Sequence, residues 1–308
     1  LNLIERYRGS LLGLAIGDAL GAPLEFQQYG SFTPIDDMIG GGIFKLRPGD
    51  WTDDTSMALC LAESLFESRG FNAVDQMERY LKWYHQGYLS SQGWCFDIGR
   101  TTRKALLQYE ATRQAVGLTD EDSAGNGSLM RLAPVPLAYS GQPTLALDMA
   151  GDSSKTTHAT RVCVDACRYM SGLIVGALQE RPKEELLERR FSPVKDYWVH
   201  RPLAQEIEEI AFGSYKHKEP PEIQGRGYVV PSFEAALWAF YKSDNFKDGA
   251  LLAVNLGDDA DTTGAIYGQL AGAFYGEEGL PESWLSKLAM SNLIKRYAEK
   301  LFALSQTM

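Results

Sequence analysis

The chain is poor in the residues that build several common kinds of site. Only four cysteines occur in 308 residues, Cys60, Cys95, Cys163 and Cys167, and no two form a C-x-x-C pair. That is too few for a disulfide scaffold and fits a reducing compartment, so a cytoplasmic protein is expected. Histidine is equally scarce, with His85, His158, His200 and His217 and no H-E-x-x-H, which argues against a His-rich metallohydrolase. His158, Cys163 and Cys167 stand at i, i+5 and i+9 and do not gather on one helical face. No zinc site is expected from them, and the two cysteines read as small core residues. No G-x-S-x-G elbow offers a serine nucleophile, and no G-K-[ST] marks a P-loop. No run of 18 apolar residues is present to span a membrane, and the opening LNLIERYRGS lacks the basic, apolar and small-residue order of a secretory signal. Positive charge is in deficit: 30 Lys and Arg against 40 Asp and Glu give a formal net charge of −10. Neither nucleic acid nor membrane is therefore expected as a partner.

What is present is a globular composition, 44% hydrophobic and 23% charged. Apolar residues recur at three- and four-residue spacing over 5–20, 54–68, 72–86, 100–115, 144–150, 159–180, 203–213, 232–243, 246–254, 262–275 and 282–304. Within 159–180, Val162, Ala166, Tyr169, Leu173 and Ala177 trace one face. Alternating runs are scarce, and the best strand candidate is the short YVV at 228–230. An all-α fold is expected. The irregular stretches 27–51, 181–202 and 213–232 each hold apolar anchors, and no 20–50-residue repeat is evident, so residues 1–308 read as one domain. The first of these stretches, with Gly40-Gly41-Gly42, has the makings of a mobile lid.

Glycines recur every fourth residue at Gly9, Gly13, Gly17 and Gly21, and again at Gly264, Gly268, Gly272 and Gly276. Each mid-helix glycine costs roughly 1 kcal/mol relative to alanine. Close backbone approach along a small-residue seam is the compensation that suggests itself, and these two helices are expected to pack on one another. Separate packing against other neighbours is the alternative.

Two acidic motifs stand just before helices. Trp51-Thr52-Asp53-Asp54-Thr55 is explicable by capping alone, with Thr52 or Asp53 as N-cap. Gly257-Asp258-Asp259-Ala260-Asp261-Thr262 holds three carboxylates within four residues, more than one cap uses. If these converge with Glu25, their repulsion raises their pKa values and calls for cations. Carboxylates and Thr hydroxyls are hard oxygen donors suited to Mg²⁺ or Mn²⁺, and the spacing is not that of an EF-hand. Gly125-Asn126-Gly127-Ser128-Leu129-Met130-Arg131 offers free backbone N–H groups as a phosphate or ribose cradle, although a plain turn explains it equally well.

Taken together, RGSLLGLAIGDALGAPLEF (8–26), WTDDTSMALCLAESL (51–65), FDIGRTTRKAL (96–106), GNGSLMRLAPVPLAY (125–139), THATRVCVDACRYMSGLIVGAL (157–178), GYVVPSFEAALWAF (227–240) and NLGDDADTTGAIYGQLAGAFYG (255–276) resemble the ADP-ribosylglycohydrolase family, in its order and over almost the whole chain. The resemblance implies an orthogonal helical bundle with a binuclear Mg²⁺ centre, in which Mn²⁺ can substitute. It also implies hydrolysis that frees ADP-ribose from modified proteins. On this likeness the metal ligands fall on Glu25, Thr52, Asp53, Asp54, Asp259, Asp261 and Thr262. Asp258 stands where the family often has glycine and is not counted among them. Asn126, Gly127 and Ser128 match the loop for ribose and diphosphate. His158 matches a histidine beside the ADP portion, and Tyr228 the aromatic that stacks on adenine. Asp97 falls where the arginine-directed branch places an acid near the guanidinium, while Arg100 departs from the polar residue more usual in that segment. Glu25, Asp97 and Asp261 are the catalytic candidates. Five ligand carboxylates against two divalent cations leave the centre near neutrality. An arginine linkage is the first expectation. A serine O-linkage or free ADP-ribosyl derivative is the second, and a non-catalytic binding, immunity or structural role is the third. All seven ligand-type positions being filled speaks against the last.

Overall fold

The computed structural model describes residues 2–308, and its long elements are helices. In order they are α1 (Leu3–Gly21), α2 (Asp53–Ser68), α3 (Ala73–Gln86), α4 (Arg100–Thr112), α5 (Pro134–Ala138), α6 (Pro143–Lys155), α7 (Arg161–Leu178), the one-turn α8 (Lys183–Leu186) and α9 (Tyr197–His200), α10 (Gln205–Ala211), α11 (Val229–Lys242), α12 (Phe246–Val254), α13 (Ala260–Tyr275), the one-turn α14 (Glu282–Leu285) and α15 (Ser291–Ser305). Among the described residues only isolated bridges stand in for a sheet, such as Gly125 with Tyr228 and Leu118 with His158. The all-α expectation holds.

Two details differ from the sequence reading. The YVV segment is not a strand: Tyr228 is the N-cap of α11, and Val229 and Val230 form its first turn with Pro231. Proline is tolerated there because its missing N–H has no intrahelical acceptor to lose. The 282–304 segment is not one helix but α14 and α15, parted by a turn in which Met290 takes a left-handed φ of 54°.

Local chemistry explains several boundaries. Asn2 and Glu5 close a capping box at the start of α1, and Asn72 and Asn245 accept the N–H of Asp75 and Asp248 to start α3 and α12. Gly87 ends α3 in the left-handed region.

The central pair is α1 and α13, joined through the glycine rows. A Cβ at Gly9, Gly13 or Gly17 would lie 2.3, 2.3 or 2.0 Å from the carbonyl oxygen of Gly272, Gly268 or Gly264, and one at Gly21 would lie 2.3 Å from that of Ala260. The backbones are thus in direct contact, and the seam is bordered by Ser10 Oγ donating to the Gln269 carbonyl at 2.9 Å. Gly276 lies just past the end of α13 and continues the row as its cap. The 27–51 stretch is held at its middle. The Ile35 N–H donates to Asn255 Oδ1 at 2.8 Å, and Asp37 accepts from Trp284 Nε1 and Lys287 Nζ, both at 2.7 Å.

Candidate metal centre and substrate cleft

The seam brings the N-terminal end of α13 against the C-terminal end of α1, and the start of α2 meets both. Asp18, in the buried last turns of α1, is the connector. Its Oδ1 accepts the Thr52 N–H at 2.8 Å and its Oδ2 the Thr55 N–H at 3.0 Å. Asp18 therefore caps α2 from another helix. Thr52 stands at the N-cap position but makes no capping bond of its own. Its hydroxyl instead lies 2.8 Å from Asp18 Oδ1, 3.1 Å from Asp54 Oδ2 and 3.2 Å from Asp261 Oδ2. One hydroxyl proton serves one of these acceptors, so the other close oxygen pairs call for a cation or an added proton.

Among the described residues, the acids form two groups whose carboxylate oxygens lie within 4.8 Å of one another: Asp18, Asp54 and Asp261, and Glu25, Asp97 and Asp261. Asp261 belongs to both. The sequence reading missed Asp18 in this role, and it set Asp97 beside the substrate, not among the clustered acids. The signal for Asp18 was a lone carboxylate in the apolar, small-residue second half of α1, from Leu11 to Gly21. Asp53 and Asp259 border the groups and line the cleft with Thr262, whose N–H donates to Asp261 Oδ1 at 2.9 Å. Asp259 Oδ2 accepts from Asn126 Nδ2 at 2.8 Å, which ties the glycine loop to the acids. Asp258 has a left-handed φ of 54°, a conformation glycine adopts freely and aspartate tolerates. Its N–H and carbonyl are clasped by Gln27 O at 2.7 Å and Phe26 N at 2.6 Å.

Set against one another without cations, these acids cannot all ionise. Burial, then the charges of Asp97, Asp259 and Asp54, pushes Glu25 up to about 10. Burial, then Asp259 and Asp18, pushes Asp97 up to about 7. Asp18 is pushed up to about 6 by burial, against the hydrogen bonds from Thr55 and Thr52. Burial raises Asp53, Asp54, Asp259 and Asp261 as well. Glu25 Oε2 and Asp54 Oδ1 are buried and without any hydrogen-bond partner. Orphaned carboxylate oxygens, an overcrowded Thr hydroxyl and an all-oxygen donor set fit hard divalent cations. The clusters can hold metal.

From the acids a cleft of about 920 Å³ runs past Asn126, Gly127 and His158 to Arg226 and Tyr228. Eight carboxylates line it against two guanidinium groups, those of Arg100 and Arg226. Glu25, Asp53, Asp97, Asp259, Asp261 and Thr262 lie along it, while Thr52 and Asp54 sit buried behind. Ser128 does not face it: its hydroxyl pairs with Ser154 Oγ at 2.7 Å in the interior. Tyr228 stands half exposed at the rim.

Below the glycine loop lies Arg131, fully buried and unassigned by the sequence reading. Its Nη1 donates to the Gly127 carbonyl at 2.7 Å and its Nη2 to Thr157 Oγ1 at 2.8 Å. The Thr157 hydroxyl in turn lies 2.8 Å from His158 Nδ1. Burial, aided by the Arg131 charge, pushes His158 down to about 3, so the ring is neutral at ordinary pH. The Thr157 hydroxyl accepts from Arg131 and donates to Nδ1, which leaves the proton of the ring on Nε2. Gly127 packs on that ring, since a Cβ there would come 2.9 Å from His158 Cε1.

The chain is similar to known proteins over nearly its whole length. The profile of the family described as ADP-ribosylglycohydrolase matches residues 1–308. The chain is 41% identical to the ADP-ribosylarginine hydrolase Tri1 of Serratia proteamaculans (strain 568) over 300 residues, which is 97% of this chain and 79% of that protein. It is 34% identical to the ADP-ribosyl-[dinitrogen reductase] glycohydrolase of Rhodospirillum rubrum over 314 residues, covering 98% and 97%. A solved structure titled ADP-ribosylglycohydrolase-related protein complex superposes with a TM-score of 0.86 at 43% identity, over 99% of each chain. With the family match running over residues 1–308 and relatives of 34% and 41% identity over nearly the whole chain, the chain belongs to the ADP-ribosylglycohydrolase family.

Proposed function

We propose that the chain acts as a single catalytic domain that hydrolyses ADP-ribose from modified arginine side chains with Mg²⁺ as its cofactor, Mn²⁺ being able to substitute. The observation that carries this is the meeting of the two acid groups at Asp261, in a cleft of about 920 Å³ that has the volume for a nucleoside diphosphate sugar. The arginine linkage is supported by the likeness to the Serratia ADP-ribosylarginine hydrolase and by the carboxylates that await a cationic leaving group. Four free cysteines support a cytoplasmic setting, and no described helix is long and apolar enough to cross a membrane.

Glu25, Thr52, Asp53, Asp54, Asp259, Asp261 and Thr262 are the residues proposed to hold two ions, with Asp18 added as a further carboxylate of the same cluster. When bound, the ions supply positive charge that polarises the ribose hydroxyls and activates a water. Tyr228 receives adenine at the rim. The loop at Asn126 and Gly127 holds the ribose and diphosphate, and the neutral His158 offers its Nε2–H as a donor beside them. Ser128 is proposed in that loop through its backbone alone, because its side chain faces inward. Asp97, within reach of Glu25 and Asp261, holds the guanidinium. In the hydrolysis a water oxygen bonds to the anomeric carbon and the C–N bond breaks. Asp97 or Glu25 delivers the proton that the departing guanidine nitrogen requires and takes back the proton that the attacking water loses, so the acid returns to its starting state. The products are ADP-ribose and unmodified arginine.

Incubation with matched arginine-linked and serine-linked ADP-ribosyl peptides tests the linkage. Faster release from the arginyl peptide is expected, and preferential release from the seryl peptide would overturn it.

A further inference from the structure

Beside the acid end of the cleft the surface is apolar, and nothing in the reaction so far uses it. Trp94 is 58% exposed and Ile43 65%. The Trp94 ring lies 5.2 Å from the Phe96 ring, and Phe44 lies 5.3 Å from Phe96 on its other contact. Phe96 is buried on Ala22 and Leu46, which forms a small apolar cluster separate from the main core. This shelf is fastened to the reacting end at two points. Phe96 directly precedes Asp97, and Ala22 opens the turn Ala22–Leu24 that delivers Glu25. Phe26, itself 66% exposed, lines the cleft between them.

We propose that this shelf of Trp94 and Phe44, with the exposed Ile43 beside Phe44 in the chain, receives apolar side chains that flank the modified arginine of the acceptor protein. The inference rests on the arginine-linkage reading and extends it from the sugar to the polypeptide. Two complementary features select this occupant. The carboxylates of Glu25, Asp97 and Asp261 call for a cation at the leaving-group end, and the ground next to them is aromatic and aliphatic. A chain entering with its guanidinium on the acids lays its neighbouring residues across Phe44 and Trp94. The far end of the cleft, with Glu121, Asp122 and Arg226, offers charged side chains instead. Large exposed rings with packed support are the surfaces on which a few side chains carry much of a protein contact.

The test compares free ADP-ribosylarginine with two ADP-ribosylated peptides, one bearing Leu and Phe beside the modified arginine and one bearing Ser and Asn. Trp94→Ala is expected to lower kcat/KM on the apolar peptide about tenfold, chiefly through KM. Free ADP-ribosylarginine is expected to be cleaved at the wild-type rate, because Trp94 lies outside the cleft. Ile43→Ser is expected to act in the same direction. Equal losses on the small and the peptide substrate, or no loss on the apolar peptide, would overturn the proposal. So would a wild type that sediments as a dimer and a Trp94→Ala variant that sediments as a monomer, which together assign the face to a second copy of the chain. A wild type that cleaves neither the free compound nor the peptides overturns the linkage reading itself, and this inference falls with it.

Discussion

Gly17 and Gly264 meet backbone to backbone: a Cβ on Gly17 would lie 2.0 Å from the Gly264 carbonyl oxygen, and one on Gly264 would lie 2.3 Å from that of Gly17. Asp18 follows the first glycine and Asp261 stands one helical turn before the second. The contact thus fixes the distance between two carboxylates of one cluster. Gly17→Ala gains helix propensity but forces the helices apart. It is expected to destabilise the fold by about 1–3 kcal/mol. Denaturant unfolding checks this, with an unchanged midpoint against it.

Asp18 carries two duties, capping α2 and completing the cluster. Asp18→Asn keeps the shape but removes the charge and one acceptor. A stability loss of about 1–2 kcal/mol is expected, together with weaker Mg²⁺ binding by titration calorimetry. Wild-type stability and affinity in this variant would show that its bonds to Thr52 and Thr55 are idle.

The pH dependence has a definite sign. Asp18, Asp97 and Glu25 bind protons more tightly in the folded chain, at about 6, 7 and 10, than unfolded carboxylates do at about 4. In the absence of divalent cations their contribution is present below about pH 4 and is lost as pH rises through those folded values. Mg²⁺ binds the ionised acids, so its stabilisation grows with pH. The Tm increase on adding Mg²⁺ is expected to be larger at pH 8 than at pH 6. Equal increases would contradict the cluster as the binding site.

Part of this centre was legible in the sequence because helix starts advertise themselves. Asp258, Asp259 and Asp261 crowd the start of α13 beyond what one cap uses, and the two glycine rows announced a seam, whereas Asp53 and Asp54 taken alone read as caps. Asp18 was not legible as a member of the acid cluster because its partners are Thr52 and Thr55, more than thirty residues away, and only the fold supplies that pairing. The inward direction of the Ser128 side chain was not legible, since a motif names residues but not which way a turn points them. Tyr228-Val229-Val230 looked like a strand from its β-branched residues, whereas the proline after them and the apolar period beyond belonged to α11.

Arg131 links the Gly127 carbonyl to Thr157 and, through it, to His158. Arg131→Met removes both bonds. ADP-ribose affinity is expected to fall about tenfold or more, as befits losing charge-assisted hydrogen bonds beneath a binding loop. Thr157→Val leaves the Gly127 bond intact and is expected to give a smaller loss. Calorimetry on both variants, with thermal melts to confirm folding, checks the order, and equal affinity across all three proteins would contradict it.

The most direct measurement is ADP-ribose release from an arginyl-linked substrate after exhaustive EDTA treatment, with and without Mg²⁺ restored, on wild type and Asp261→Asn. The account predicts release by wild type only when Mg²⁺ is returned, and none by Asp261→Asn in a protein that keeps its helical signal. Full release in EDTA, or wild-type turnover by Asp261→Asn, would contradict it.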